Sequence, residues 1–107
     1  DAAMVAAYRA DPLVHDRIAA RLAAFIADSG PRTVAAAAAW TVPTLLMYAG
    51  ADHVVAPAGS RAFAQAAPAG VVSSHRFDGL YHEIFNELPA DRERVFALLR
   101  DWLMARF

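Results

Sequence analysis

The sequence contains no cysteine. That excludes a disulfide framework, a thiol nucleophile and thiolate metal ligation. It contains no lysine either, so all ten basic residues are arginine. Formal net charge is −1, and basic and acidic residues are interspersed along the chain. No basic stripe is available, and no nucleic-acid partner is expected. No long hydrophobic run is present. The longest nearly uncharged stretch, Thr33 to Ala51, is broken by Thr41, Pro43 and Thr44, so no transmembrane helix is expected. The first residue is Asp1, with no initiator methionine and no charged-then-apolar leader. The expectation is that the chain begins inside a longer protein, with a cytoplasmic location.

What is present favours a packed domain. Hydrophobic residues make up 58% of the 107, and 27 residues are alanine, which favours helices over disorder. A chain of this length is one small domain at most.

The first part reads as helices. Met4 to Ala10 forms a short one, broken at Asp11-Pro12-Leu13, because the residue before proline disfavours helix. Asp16 is placed to cap a second helix running to about Asp28. Its apolar face is Ile18, Leu22, Phe25 and Ile26, suited to an ordinary core contact or to a lipid channel. Ser29-Gly30-Pro31 should end it, with Pro31 opening a third helix through Ala39.

From Val42 the period changes. Thr44 to Ala49 is a continuous apolar run, as in a parallel strand covered on both faces. Pro57 opens a helix through Ala66 that packs by Phe63. Pro68 and Gly70 end it. Val71 to Phe77 is a second, more polar strand, nearer an edge, and Asp78-Gly79 turns the chain. Pro89 opens the last helix, with Val95, Phe96, Leu99, Trp102 and Leu103 as its stripe. The strand–helix–strand–helix order predicts an α/β fold with a right-handed crossover. Residues 1–40 form a helical region leading into a core segment at residues 41–107. Two parallel strands make no viable sheet alone, so the first strand should pair with a strand outside this chain.

The residues that carry chemistry sit just after the two strands. Asp52 follows the Thr44–Ala49 run through Gly50-Ala51. His82 follows the second strand through Asp78-Gly79-Leu80-Tyr81. An acid and a later histidine, each on the loop after a strand, is how α/β-hydrolases place two members of a catalytic triad. In such a triad the histidine takes a proton from a serine and returns it to the leaving group. The carboxylate fixes the tautomer and stabilises the imidazolium. Other candidates are weaker. His53 reads as an exposed loop residue or a support beside the site, His15 as packing and His75 as solvent-facing. Glu83, Asn86 and Glu87 are placed to hold the histidine loop by local hydrogen bonds. His82-Glu83-Ile84-Phe85-Asn86 misses the zinc motif H-E-x-x-H because Asn86 stands in the second histidine slot. No metal and no cofactor are expected.

Val42-Pro43-Thr44-Leu45-Leu46, Gly50-Ala51-Asp52 and Tyr81-His82-Glu83-Ile84-Phe85-Asn86-Glu87 resemble the C-terminal part of the monoacylglycerol lipase-like α/β-hydrolases, the serine aminopeptidase or lysophospholipase-like group. The 30-residue separation of Asp52 and His82 fits that group as well. Asp11-Pro12-Leu13-Val14-His15 resembles the segment that leaves the group's cap and returns to the core. The resemblance implies that Asp52 is the triad acid and His82 the general base. It also implies a serine ester hydrolase acting on a small lipid ester, a monoacylglycerol first of all. The Gly-x-Ser-x-Gly elbow and the oxyanion-hole loop of that group are absent, and Ser29, Ser60, Ser73 and Ser74 lack the context. The expected partner is therefore an N-terminal hydrolase segment bearing the nucleophile, with a swapped homo-oligomer as the alternative. Two other readings stay open. One is a different α/β-hydrolase: an epoxide hydrolase, a dehalogenase or a proline-type aminopeptidase. The other is a non-catalytic fragment that completes a partner's sheet.

Overall fold

The computed structural model describes all residues, 1–107. In chain order it contains α1 (Ala2–Ala10), α2 (Ala20–Ala36), a 3-10 turn (Ala37–Ala39), β1 (Thr44–Ala49), α3 (Pro57–Ala66), β2 (Val72–Phe77), a second 3-10 turn (Ile84–Asn86) and α4 (Pro89–Met104). The two strands form one parallel sheet, in register from Thr44 opposite Val72 to Ala49 opposite Phe77. Parallel pairing needs a crossover, which α3 supplies. This is the α/β arrangement that the sequence predicts, two parallel strands with flanking helices.

The α1 helix is capped by Asp1, whose carboxylate accepts the Ala3 N–H at 2.8 Å. Proline stands in the first turn of both α3 and α4, where its absent N–H costs nothing. The α2 helix departs from expectation at both ends. It starts at Ala20 instead of being capped by Asp16, so Ile18 lies outside it. It also runs straight through Ser29-Gly30-Pro31. Pro31 deprives the Ala27 carbonyl of its donor, but Ala27 is exposed, and water can serve that oxygen. The face expected to pack is open: Ile18, Leu22, Phe25 and Ile26 are 56, 48, 64 and 56% exposed.

The core is thin and lies in two places. Ala49, Phe77, Leu80, Ile84 and Val95 form one cluster, between the strand ends and α4. Ala37, Ala67 and Val72 form the other, with Trp40 and Phe63 packed around it. Trp40 meets Phe63 edge-on at 5.3 Å and donates its Nε1–H to Thr44 Oγ1 at 2.9 Å. Only Val95 of the predicted α4 stripe is fully buried, while Phe96 and Leu103 are exposed. In the middle of β2, Ser73 to Arg76 face solvent, as an edge strand would. The larger cluster sits directly beneath the loops that follow β1 and β2.

Candidate active site

Parallel register brings the C-terminal ends of both strands to one end of the sheet, where α/β proteins place their ligands. The backbone pairing continues past the strands. Gly50 N–H donates to the Phe77 carbonyl at 2.8 Å, and Ala51 N–H to the Leu80 carbonyl at 3.0 Å. Asp52 comes one residue after the first tied loop and His82 two residues after the second. Gly50 is required by the approach itself. A Cβ built there would stand 2.6 Å from the Asp78 Cα. Leu80 and Ile84, on either side of His82, are buried in the core cluster and anchor its loop.

The two predicted residues meet. His82 Nδ1 lies 2.8 Å from Asp52 Oδ2. The other carboxylate oxygen, Oδ1, accepts the backbone N–H groups of Val54 at 2.7 Å and Val55 at 2.9 Å. The Asp52 side chain is 10% exposed, and that of His82 is 41% exposed. The hydrogen bond from His82, with those from Val55 and Val54, holds the Asp52 carboxyl down at about 2, against a desolvation that would raise it. Asp52 is thus an anion across the physiological range. With Nδ1 held by the carboxylate, Nε2 is the ring nitrogen left to exchange a proton with a reacting group.

His82 also lines a cavity of about 840 Å³, open to solvent. Its other walls include Met4, Val5 and Tyr8 of α1 and Val54 of the acid loop. None of the four serines lines it. Ser29 lies in α2, Ser60 in α3, and Ser73 and Ser74 in β2. No group of histidines and carboxylates is arranged to hold a metal ion.

Tyr81 N–H donates to Glu87 Oε1 at 2.6 Å, and Asn86 Nδ2 to Glu83 Oε2 at 3.4 Å, the local bonds anticipated for this loop. His53 lies with its ring 5.8 Å from that of Tyr81, bridging the acid and base loops. That contact was not legible in the sequence, because the two residues are 28 positions apart and share no motif. His75 faces solvent against Phe77. His15 does not pack. It is exposed, and its Nδ1 accepts the Arg17 N–H at 3.3 Å. Asp11-Pro12-Leu13 is a turn, in which the Asp11 carboxylate accepts the Leu13 N–H at 2.8 Å.

Residues 1–89 match the family described as serine aminopeptidase, S33. A monoacylglycerol lipase of Mycolicibacterium smegmatis is 33% identical over 106 residues, which is 98% of this chain and 37% of that protein. An uncharacterized abhydrolase domain-containing protein of Dictyostelium discoideum is 27% identical over 107 residues, 99% of this chain and 11% of that protein. The crystal structure of the Paleococcus ferrophilus monoacylglycerol lipase superposes with a TM-score of 0.89 at 32% identity, covering 98% of this chain and 40% of that one. The chain therefore spans two fifths or less of the length of each of these relatives. It carries an α/β-hydrolase segment of the monoacylglycerol lipase type and belongs to the serine aminopeptidase S33 family.

Proposed function

We propose that this chain supplies the acid and the base of a serine ester hydrolase whose nucleophile lies in an N-terminal segment of a longer protein. The observation that carries the reading is the Asp52–His82 contact at 2.8 Å, with Asp52 held anionic. His82 Nε2 takes the serine proton as the hydroxyl attacks the ester carbonyl, and Asp52 stabilises the imidazolium that results. The same nitrogen returns the proton to the leaving alcohol. A water then attacks the acyl-enzyme by the same route.

The substrate proposed is a monoacylglycerol. Two relatives bear that lipase's name, and Met4, Val5 and Tyr8 give the cavity beside His82 an apolar wall suited to an acyl chain. The family's description names an aminopeptidase, so the assay discriminates between the two. The protein extended by its N-terminal segment should hydrolyse short- to medium-chain monoacylglycerols and p-nitrophenyl esters without added metal, far faster than aminoacyl p-nitroanilides. The reverse preference, or full ester turnover by His82→Ala, would overturn the reading.

A further inference from the structure

We propose that Glu87 is a positioning residue for His82, acting through the backbone of Tyr81, an inference that rests on the reading of His82 as the base. The Tyr81–Glu87 hydrogen bond, at 2.6 Å, spans six residues and closes the loop on which His82 stands. A charged acceptor makes such a bond short and strong. Inside the closed segment the 3-10 turn adds the Asn86 N–H to the Glu83 carbonyl at 2.8 Å, and Ile84 is buried. Glu87 itself stands two residues before Pro89, the start of the 16-residue α4, whose Val95 is the most buried side chain of the larger core cluster. The carboxylate thus ties the residue before His82 to a rigid helix.

His82 needs such a tie. Its side chain is 41% exposed, and Asp52 is its side-chain hydrogen-bond partner. Neither neighbour is buried, since Tyr81 and Glu83 are both exposed. Packing alone does not fix the imidazole. Leu80 sets the loop on one side and Ile84 on the other, and Glu87 fixes the peptide between them. A displacement of about 1 Å at a reacting group can cost about a hundredfold in rate. Glu87 stands at the N-terminus of α4, so a purely electrostatic service to that helix is the competing explanation. The two differ in what they need. Positioning needs an acceptor oxygen, and the helix dipole needs a negative charge.

The test uses the longer protein, with a p-nitrophenyl ester as substrate. Glu87→Ala should lower kcat about tenfold to a hundredfold with KM little changed. Glu87→Gln keeps an acceptor oxygen without the charge and should restore most of kcat. In an Asp52→Asn background, Glu87→Ala should cost far less than in the wild type, because both changes act through one imidazole. Amide exchange at Tyr81 should quicken in Glu87→Ala and not in Glu87→Gln. If Glu87→Ala does not fold, Glu87→Leu replaces it in every arm. A wild-type kcat in Glu87→Ala, equal losses in Gln and Ala, or an undiminished loss in the Asp52→Asn background would each overturn the inference. If instead Asp52→Asn and His82→Ala themselves leave turnover intact, the reading of the site has failed. The exchange rates then still decide whether Glu87 holds the loop.

Discussion

Asp52 is held through both carboxylate oxygens. One oxygen is held by two backbone N–H groups and the other by His82, so the carboxylate has little freedom to rotate. Asp52→Asn would keep the shape but put an amide against Nδ1, leaving the imidazole in the wrong tautomer. In the longer protein kcat should fall by up to about 10⁴-fold, as in the Ser-His-Asp template. His53→Ala removes only the ring contact with Tyr81 and should cost much less. A kinetic comparison of the two variants in which His53→Ala is the more damaging would refute the assignment. The lowered pKa of Asp52 also fixes a pH dependence. Its folded-state value of about 2 lies below the ordinary 3.8, so its contribution to stability is complete above 3.8 and is lost as pH falls through about 2. The melting-temperature gap between wild type and Asp52→Asn should narrow as pH falls from 3.8 through about 2. A gap that grows as pH falls below 3.8 would contradict the hydrogen-bond pattern.

The elements that place these residues differ in how far the sequence reveals them. The β1 strand and α3 are legible to the residue, and β2 and α4 nearly so, because an uncharged run or a proline marks each start. Asp52 and His82 were legible for the same reason: both fall on loops that follow readable strands. The α2 helix was not. Gly30-Pro31 reads as a stop, yet on an exposed helix a lost backbone bond is made up by water, and the helix continues. The apolar faces of α2 and α4 were legible as faces but not in their exposure, since periodicity says which side chains align and not what covers them. Glu87's hold on the histidine loop was expected as a local bond, whereas the His53–Tyr81 contact depends on loop geometry that no period encodes. Gly50 belongs to this scale too. Gly50→Ala would force a Cβ into the Asp78 backbone and part the two loops. It should cost about 1–3 kcal/mol or more in stability and reduce turnover beyond the loss of folded protein. Thermal melts with active-site titration separate the two effects, and a stable, fully active variant would show the approach to be looser than described.

At the scale of the molecule, 107 residues in a compact domain should have a radius of gyration of about 13 Å, whereas this chain has 15.8 Å. Only 8 residues are buried, and the sheet has two strands, so the outer edge of β1 offers unpaired backbone groups. Expressed alone, residues 1–107 should aggregate or form a swapped oligomer, and a monodisperse monomer with a cooperative melt would contradict that. The central claim is that Asp52 and His82 serve a serine outside these residues. The most direct test is fluorophosphonate labelling of the longer protein, with the adduct mapped by mass spectrometry. The account predicts one adduct, on a serine outside residues 1–107, formed far more slowly in His82→Ala. An adduct on Ser29, Ser60, Ser73 or Ser74, or undiminished labelling of His82→Ala, would contradict it.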